Sequence, residues 1–301
     1  MTRGARGVHG EGERIDTPHG RVYLEVEGEG PVVVLVPGGP GVGHAHYHPW
    51  FSRLADRHTV VYFDAPGTGR SDRPTGSGDY SVRTYAGAVE AIREHLGAGR
   101  IAVAGLSFGG LVAAEYATTH PDRVRRLVFS NAPYSAASWQ RGNIDNVNHE
   151  IRVRYPQLWD RLMRLREAGI TSLAPEYQAV FQRVLPELEW ADPDGHPTLN
   201  RDPAEKFQPD VYTAFIGSDP EWTVQGTLAG FDPTPRLAGL AVPTLVVTGR
   251  FDRVTPPAIA HSLARLVPGA ELIVFERSGH RPWAEEPDRY FAALHTFLLS
   301  E

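Results

Sequence analysis

The stretch "AGLSFGG" (residues 104–110) decides the fold, because it places one serine between glycines where an apolar run gives way to a helical pattern. It follows "RIAVAGL" and precedes "LVAAEYATTHP". A serine that only caps a helix needs no glycine two residues to either side, whereas a serine held in a strained turn with an exposed hydroxyl needs small neighbours. The sequence therefore predicts a strand, a tight turn at Ser107 and a helix.

Apolar runs that recur along the chain predict a parallel sheet. Runs such as "PVVVLVP", "HTVVYFDA" and "RIAVAGLS" are too continuous for half-exposed strands. Helical patterns such as "SVRTYAGAVEAIREHLG" lie between them. Buried strands that alternate with helices are typical of the α/β class with a mostly parallel, doubly wound sheet.

The alternation stops in the middle third of the chain. Between about residues 133 and 232 the sequence is helical, aromatic and punctuated by proline, and strands resume at "VPTLVVTGRFD". We therefore predict a first part of the core at 1–132, with 1–14 disordered, a helical cap inserted at 133–232, and a second part of the core at 233–301. Such a cap lies over the carboxyl ends of the strands, where ligands bind in open parallel sheets.

Composition restricts the class of protein. The 301 residues are 41% hydrophobic and 22% charged, which is ordinary for a globular chain. The absence of cysteine excludes disulfides and thiolate metal ligands, and the formal charge of -6 argues against a nucleic-acid partner. Because no stretch reaches the roughly 18 apolar residues of a membrane span, and the N-terminus lacks the apolar region of a secretory signal, we expect a cytoplasmic protein without a membrane partner.

Three residues at strand ends form a candidate catalytic triad. A nucleophilic Ser107 needs a base within hydrogen-bond reach and a third group that orients the base. His280 follows the late strand "AELIVFERSG", and Asp252 follows the strand before it, "PTLVVTGRF". The order serine, aspartate, histidine is the one that this strand arrangement requires. Taken singly, Asp252 is also explained as a turn former and His280 as a loop histidine.

Acyl transfer also needs N–H donors for the developing oxyanion. One donor is expected from Phe108, directly after the nucleophile. The loop "PGGPG" (residues 37–41) follows a buried strand, and its glycines let backbone N–H groups approach a substrate oxygen. We assign Gly39 as the second donor and Gly38 as a substrate contact. An ordinary tight turn is the alternative for this loop.

Several motifs resemble those of α/β-hydrolases, namely "PGGPG", "FDAPGTGRSDRP", "GLSFGG", "GRFD" and "SGH", with a helical insertion before "PTLVVTG". More narrowly, the chain over residues 20–301 is similar to the proline iminopeptidase family of serine aminopeptidases. The resemblance implies the α/β-hydrolase fold and an acyl-enzyme mechanism without a cofactor. It also implies release of an N-terminal residue, with proline favoured, from small peptides or amides.

The cap segment "FIGSDPEWTVQGTLAGFD" resembles the part of iminopeptidases in which a glutamate binds the free α-amino group of the substrate. The matching residue is Glu221, and Trp222 is among the cap aromatics expected to line the pocket. A carboxylate in a partly dry pocket holds an ammonium ion well. Alternatively, Ser218 or Asp219 caps a short helix, and Glu221 is a first-turn acid favoured by the helix dipole.

Two positions depart from the family pattern. Pro37 stands where the oxyanion loop of the family has histidine, and Arg253 stands where some iminopeptidases have a second glutamate. A cation there would repel the substrate amine or pair with Glu221. We therefore expect weak aminopeptidase activity unless Arg253 points away. Two alternatives stay open: an esterase or amidase that acts on blocked or non-peptide small molecules, and a non-catalytic ligand receptor with a hydrolase pocket.

The histidines of "HAHYHPW" stand at alternate positions, which is one pattern that suggests a metal. No carboxylate lies at ligand spacing nearby in the sequence, and the segment follows the oxyanion loop. We therefore predict no metal site and assign His44, His46 and His48 to the wall of the substrate pocket. Asp64 in "FDAPGTGRSDRP" is assigned a structural role in its turn.

Overall fold

An eight-stranded mixed sheet organises the chain. The computed structural model describes residues 12–200, 202 and 205–300. The strands are β1 (Glu13–Thr17), β2 (Gly20–Glu27), β3 (Val32–Val36), β4 (Thr59–Phe63), β5 (Ile101–Leu106), β6 (Val124–Ser130), β7 (Thr244–Gly249) and β8 (Glu271–Phe275). Their order is β1-β2-β4-β3-β5-β6-β7-β8, with antiparallel pairing from β1 to β4 and parallel pairing from β4 to β8. The predicted mostly parallel sheet is confirmed.

Helices cover the sheet, and further helices lie between β6 and β7 in the chain. The α-helices of the described residues are α1 (Val82–His95), α2 (Gly109–Thr119), α3 (Ala136–Trp139), α4 (Val147–Arg154), α5 (Pro156–Glu167), α6 (Pro175–Phe181), α7 (Leu185–Glu189), α8 (Pro209–Ile216), α9 (Thr234–Leu237), α10 (Pro257–Leu266), α11 (Pro282–Glu285) and α12 (Pro287–Leu299). Many begin with proline, whose fixed φ suits a first helical turn. Within the part of the chain that is described, none of the helices combines the length and the apolar character that crossing a membrane requires.

Alternate residues of the parallel strands face two different cores. Val34 and Val36 of β3 belong to a core shared with α1, α2 and α10, whereas Val33 and Leu35 belong to a core shared with α12. Successive side chains of a strand point to opposite faces, so both faces of β3 are dry. This double burial explains why the parallel strands are continuous apolar runs in the sequence.

The first strand begins earlier than the sequence analysis predicts. The expectation of disorder over residues 1–14 is wrong for Glu13 and Arg14, which begin β1 and pair with β2. The pairing buries Ile15 in the core, which holds the strand in place. Residues 1–11 lie outside the described residues.

The described residues between β6 and β7 carry a core of their own. Its buried members are Val147, Ile151, Leu162, Tyr177, Val180, Phe181, Val184 and Leu188, joined by Val254 from the loop after β7. The amphipathic stretch "PEYQAVFQRVLPELEW" forms two helices, α6 and α7, and not one. Pro186 lacks the N–H group that a continuous helix would need at that position.

Polar contacts hold this helical region against the loop after β3. The N–H group of Gln208 donates to the carbonyl of Gly41 at 2.8 Å, and the carboxylate of Glu205 accepts from the N–H group of Ala45 at 2.6 Å. Arg73, between β4 and α1, donates to the side-chain oxygen of Gln208 at 3.0 Å. The contacts place the segment before α8 beside the predicted oxyanion loop.

Gly109→Ala is expected to destabilise the protein, because the added methyl group would lie 2.2 Å from the carbonyl oxygen of Val36. Relieving that overlap requires α2 to move away from the sheet, and we expect a loss of roughly 1–3 kcal/mol or more in the free energy of unfolding. Gly87→Ala in α1 is the matched control, since its added methyl group meets nothing within 4 Å. That control should gain roughly 0.5–1 kcal/mol. Equal urea midpoints for the two variants would contradict this account.

Candidate active site

A strained turn between β5 and α2 carries Ser107. Its φ is 51°, in the left-handed region that residues other than glycine rarely adopt. A Cβ atom on Gly105 would lie 2.7 Å from the Cα atom of Gly110, and a Cβ atom on Gly110 would lie 2.4 Å from that of Ala132. Glycines on both sides of the serine are therefore required by the close approach of β5, α2 and the loop after β6.

His280 and Asp252 form a hydrogen-bonded chain with Ser107. The distance between His280 Nε2 and Ser107 Oγ is 3.0 Å, and that between His280 Nδ1 and Asp252 Oδ2 is 2.8 Å. The three residues follow β5, β7 and β8, whose carboxyl ends lie at one edge of the sheet. With Nδ1–H donating to Asp252, Nε2 is left to accept the serine proton.

The buried carboxylate of Asp252 is held at both oxygens. Oδ1 accepts from the N–H groups of Val254 and Thr255 at 2.9 and 2.8 Å. Oδ2 accepts from His280 and also from the side-chain amide of Asn131, at 2.8 Å each. These donors fix the direction in which the carboxylate faces the imidazole. Asn131 is not recognisable as a site residue from the sequence, where its one signal is its position directly after the buried run of β6.

The loop after β3 lies against the serine. A Cβ atom on Gly38 would be 3.2 Å from the Cβ atom of Ser107, so glycine is needed there for close approach. The N–H group of Gly38 donates to the hydroxyl of Tyr47 at 2.9 Å and is therefore engaged. Gly39 has a φ of 118°, which favours glycine. Among the described residues, the N–H groups of Gly39 and Phe108 donate to no protein acceptor, so both are available to an oxyanion.

Glu221 lies in a buried turn, which makes the alternative of a first-turn helical acid wrong. Its N–H group donates to Ser172 Oγ at 3.2 Å, and its carbonyl accepts from Asn148 Nδ2 at 2.7 Å. Burial raises the pKa of the Glu221 carboxyl to about 7, with a hydrogen bond to Gln178 acting against the rise and the charge of Asp219 adding to it. The carboxylate is thus a buried acid that is costly to ionise.

Trp222 helps to hold the turn that carries Glu221. Its indole N–H donates to the hydroxyl of Tyr177 at 2.9 Å, and the guanidinium of Arg166 lies 4.6 Å from its ring centroid. The same arginine donates to the carboxylate of Asp219 at 2.6 Å. A role of Trp222 in lining the substrate pocket stays a prediction.

Arg253 contacts α4 and α7. Its Nε atom lies 3.6 Å from Glu150 Oε2, and its Nη1 atom donates to the carbonyl of Glu187 at 3.4 Å. Its own carbonyl accepts from Asn146 Nδ2 at 2.7 Å. Within the described ranges, Arg253 does not pair with Glu221, although that pairing is one of the two consequences expected from the sequence. Repulsion of a substrate amine by Arg253 stays a prediction.

A second acid, Glu189 at the end of α7, lies beside His280 and is missed by the sequence analysis. Its carbonyl accepts from the N–H group of His280 at 2.6 Å, and its carboxylate accepts from Arg281 Nη1 at 2.7 Å. Burial acts to raise the pKa of Glu189, but the charge of Arg281 and its hydrogen bond lower it below the ordinary value. Glu189 and Glu221 are thus both acids of the helical region between β6 and β7, and of the two only Glu189 has a cationic partner among the described residues.

Two of the three histidines of "HAHYHPW", His44 and His48, enter a buried ionic cluster. His44 Nδ1 lies 2.8 Å from Asp64 Oδ1 and its Nε2 lies 3.6 Å from Glu25 Oε1, while His48 Nε2 lies 3.5 Å from Glu25 Oε2. Burial opposes protonation of His44, yet the hydrogen bonds to Asp64 and Glu25 raise its pKa to about 10. His44 and His48 are each 1% exposed, so their assignment to the wall of the substrate pocket is wrong. The assignment of His46 to that wall stays a prediction.

This cluster also bears on the metal prediction. One ligand atom each of Glu25, His44 and His48 lies within 4.8 Å of the others, which sequence spacing does not reveal. The Asp64 carboxylate accepts from the N–H group of Arg70 at 2.8 Å and from His44, which agrees with a structural role. The absence of a metal site stays a prediction.

The fold and the geometry at the sheet edge define the class of protein. A family model described as the alpha/beta hydrolase fold matches residues 31–287, which include Ser107, Asp252 and His280. The chain belongs to the alpha/beta hydrolase fold family.

Within this fold family, the chain is similar to proline iminopeptidases and to an esterase. A proline iminopeptidase from Heyndrickxia coagulans is 30% identical over 300 residues, which cover 95% of this chain and 98% of the relative. The crystal structure of proline iminopeptidase from Mycobacterium smegmatis has a TM-score of 0.77 and 23% identity, covering 96% of this chain and 97% of that chain. An esterase from Exiguobacterium antarcticum has a TM-score of 0.66 and 22% identity, covering 96% of this chain and 100% of that chain. The resemblance to proline iminopeptidases is confirmed, and the relatives support a hydrolase.

Glu221→Gln is expected to stabilise the protein at pH 8 and to change little at pH 5. The folded-state pKa of about 7 exceeds the ordinary value of 4.5, so the folded chain keeps a proton that the unfolded chain releases between these values. Stability therefore falls as pH rises through this window, by on the order of 3 kcal/mol, and glutamine removes that loss. Thermal unfolding at both pH values measures the difference.

Glu189→Gln is the control of opposite sign. Because Arg281 lowers the pKa of Glu189, the stability that the carboxylate contributes is present above the ordinary value and is lost as pH falls. Glutamine leaves Arg281 without its charge partner, so this variant should melt below the wild type at pH 8. A gain at pH 8 for both variants would contradict the assigned pKa directions.

Proposed function

We propose that this chain is a serine hydrolase that releases an N-terminal residue, with proline favoured, from a short peptide or amide through an acyl-enzyme. The observation that carries the proposal is the continuous chain of contacts from Ser107 through His280 to Asp252, with distances of 3.0 and 2.8 Å. The helical cap at residues 133–232 supplies the substrate pocket over this edge of the sheet.

Acylation uses the three side chains and two backbone donors. Ser107 Oγ attacks the carbonyl carbon while His280 Nε2 takes the serine proton, and Asp252 stabilises the resulting imidazolium. The oxyanion accepts from the N–H groups of Gly39 and Phe108. His280 then gives its proton to the leaving amine as the C–N bond breaks, and the acyl group remains on Ser107.

Deacylation repeats these steps with water. A water molecule attacks the acyl carbon and passes a proton to His280, and the same N–H donors hold the second oxyanion. The bond between the acyl carbon and Ser107 Oγ breaks, the serine recovers its proton from His280, and the acid leaves. Both halves of the reaction thus use one proton carrier, which needs the fixed orientation that Asp252 gives.

Glu221 supports a substrate with a free α-amino group. It is a buried acid with no cationic partner among the described residues, and an ammonium ion would favour its ionised form. Arg253 pairs with Glu150 instead, so it does not neutralise Glu221. The 30% sequence identity to a proline iminopeptidase, over 95% of this chain, supports the same substrate class.

One observation favours a second candidate, an esterase or amidase that acts on blocked or non-peptide small molecules. The residue after Asp252 is Arg253 and not an acid, so Glu221 is left as a single carboxylate for the substrate amine. One buried carboxylate with a raised pKa holds an ammonium ion less firmly than two acids would. Blocked substrates and esters need no such anchor.

Ser107→Ala is expected to lower kcat by roughly 10³-fold or more, because only substrate binding and the oxyanion donors remain. The assay is hydrolysis of prolyl-p-nitroanilide, with thermal unfolding as the control for folding. Activity within tenfold of the wild type would exclude Ser107 as the nucleophile. Negligible turnover by the wild type, with saturable binding of the same compound, would support a ligand receptor.

The ratio of kcat/KM for prolyl-p-nitroanilide to that for its N-acetylated form is expected to be roughly tenfold or more. The ratio should rise with pH through about 7, the pKa of Glu221, until the substrate amine itself loses its proton. Dividing the two constants cancels the titration of groups that both substrates need, so the rise reports the anchor. In Glu221→Gln the ratio should approach one at every pH.

The same assay contains the test of the second candidate. A short-chain p-nitrophenyl ester is measured beside the two amides, with Ser107→Ala as the blank. A higher kcat/KM for the blocked amide than for the free amine would contradict the aminopeptidase proposal and support the esterase or amidase.

A further inference from the structure

The end of β6 contributes no member of the triad, yet it is bonded to the turn that carries the serine. The N–H group of Ser107 donates to the carbonyl of Ser130, the last residue of β6, at 3.0 Å. The next residue, Asn131, donates its own N–H to the carbonyl of Val247 in β7 at 2.9 Å. These bonds fix the backbone of Asn131 between the strand of the serine and the strand of the aspartate.

The side chain of Asn131 reaches the other two members. Its Nδ2 atom donates to Asp252 Oδ2 at 2.8 Å and to the carbonyl of Gly279, the residue before His280, at 3.1 Å. The oxygen that receives the amide hydrogen is the one that also accepts from His280 Nδ1. One side chain therefore links the loop of the aspartate to the loop of the histidine.

We propose that Asn131 is a positioning residue, which holds the carboxylate of Asp252 in the orientation that serves His280. The inference rests on the proposed function, since it concerns the same reaction. Oδ1 of Asp252 is held by the backbone of its own loop, and Oδ2 is held by Asn131. Without the amide, His280 is the one remaining donor to Oδ2 in the described part of the chain, and the carboxylate can rotate with it.

The stability of the fold alone does not require an asparagine at this position. Its φ of 50° lies in the left-handed region, which glycine adopts without strain and which asparagine tolerates better than most other residues. Its buried Oδ1 atom accepts no hydrogen bond from the described residues, which lowers stability. The contribution that sets the residue apart is the pair of hydrogen bonds donated by its amide nitrogen.

The amide also affects the protonation of the histidine. A donor on Oδ2 draws negative charge away from the atom that faces His280, so replacing it with a second carboxylate increases the negative charge beside the imidazole. The imidazolium would then persist to higher pH, and the histidine would be unable to accept the serine proton until a higher pH is reached. A side chain that served only the fold would not move this pH dependence.

The experiment follows labelling of Ser107 by a fluorophosphonate probe between pH 5 and 9. Ser107 Oγ attacks phosphorus, the P–F bond breaks, fluoride leaves, and His280 takes the serine proton, so no particular peptide substrate is needed. The variants are Asn131→Asp, which has the same size, and Asn131→Gly, which suits the positive φ. Gln157→Glu, at an exposed position of α5, is the matched control, because it adds the same charge at the surface.

We expect both variants at Asn131 to be labelled roughly tenfold or more slowly at pH 7, and Gln157→Glu to match the wild type. In Asn131→Asp the pH of half-maximal labelling rate should rise by roughly one unit. Wild-type rates and profiles in both variants would overturn the proposal. Slower labelling of Asn131→Asp with an unchanged pH of half-maximal labelling rate would also overturn it, and so would unfolding of both variants, measured by circular dichroism. Either result assigns Asn131 to the fold.

Failure of the proposed function gives a different result. If the triad does not act as proposed, the wild-type chain itself is not labelled, or Ser107→Ala is labelled as fast as the wild type. Labelling of the wild type that is lost in Ser107→Ala, together with unaffected variants at Asn131, would reject the positioning role alone.

Discussion

The close approach of α2 to the sheet is the constraint on which the rest of the structure depends. A methyl group on Gly109 would overlap the carbonyl of Val36, and one on Gly110 would overlap the side chain of Ala132. Because the helix lies so near, the chain leaves β5 through a left-handed serine whose hydroxyl stands at the sheet edge. The same glycines that allow the helix to pack therefore present the proposed nucleophile, so packing and the proposed chemistry depend on the same local feature.

Much of this could be predicted from the sequence, because it depends on local properties. Continuous apolar runs identify buried parallel strands, and parallel strands bring their carboxyl ends to one edge whichever helices connect them. Ser107, Asp252 and His280 each follow such a run, so their meeting requires no knowledge of the packing. Asn131 also follows a strand, but an asparagine has no defined chemistry of its own, and its 121-residue separation from Asp252 gives no spacing signal.

The contacts of the helical region could not be predicted for a related reason. A helix pattern shows which face is apolar, and it does not show which polar residue of another element will meet it. Arg253 turns to Glu150 of α4, and Glu25 reaches His44 from β2, whose register is set by pairing with β4. Such contacts between distant residues determine the charge at a site. Whether Arg253 pairs with Glu221 therefore depended on its contact with Glu150, which only the structure shows.

Two acids of the helical region between β6 and β7 show how a charge partner sets the ionisation of a buried carboxylate. Arg281 donates to the Glu189 carboxylate and lowers its pKa, so this carboxylate needs no further cation in order to be ionised. Glu221 is buried without a cationic partner among the described residues, and this burial raises its pKa to about 7. In the proposed function the ammonium group of the substrate supplies the missing charge. Binding then removes a penalty that the free protein carries, so the same burial that makes Glu221 costly to ionise increases the preference for a cationic substrate.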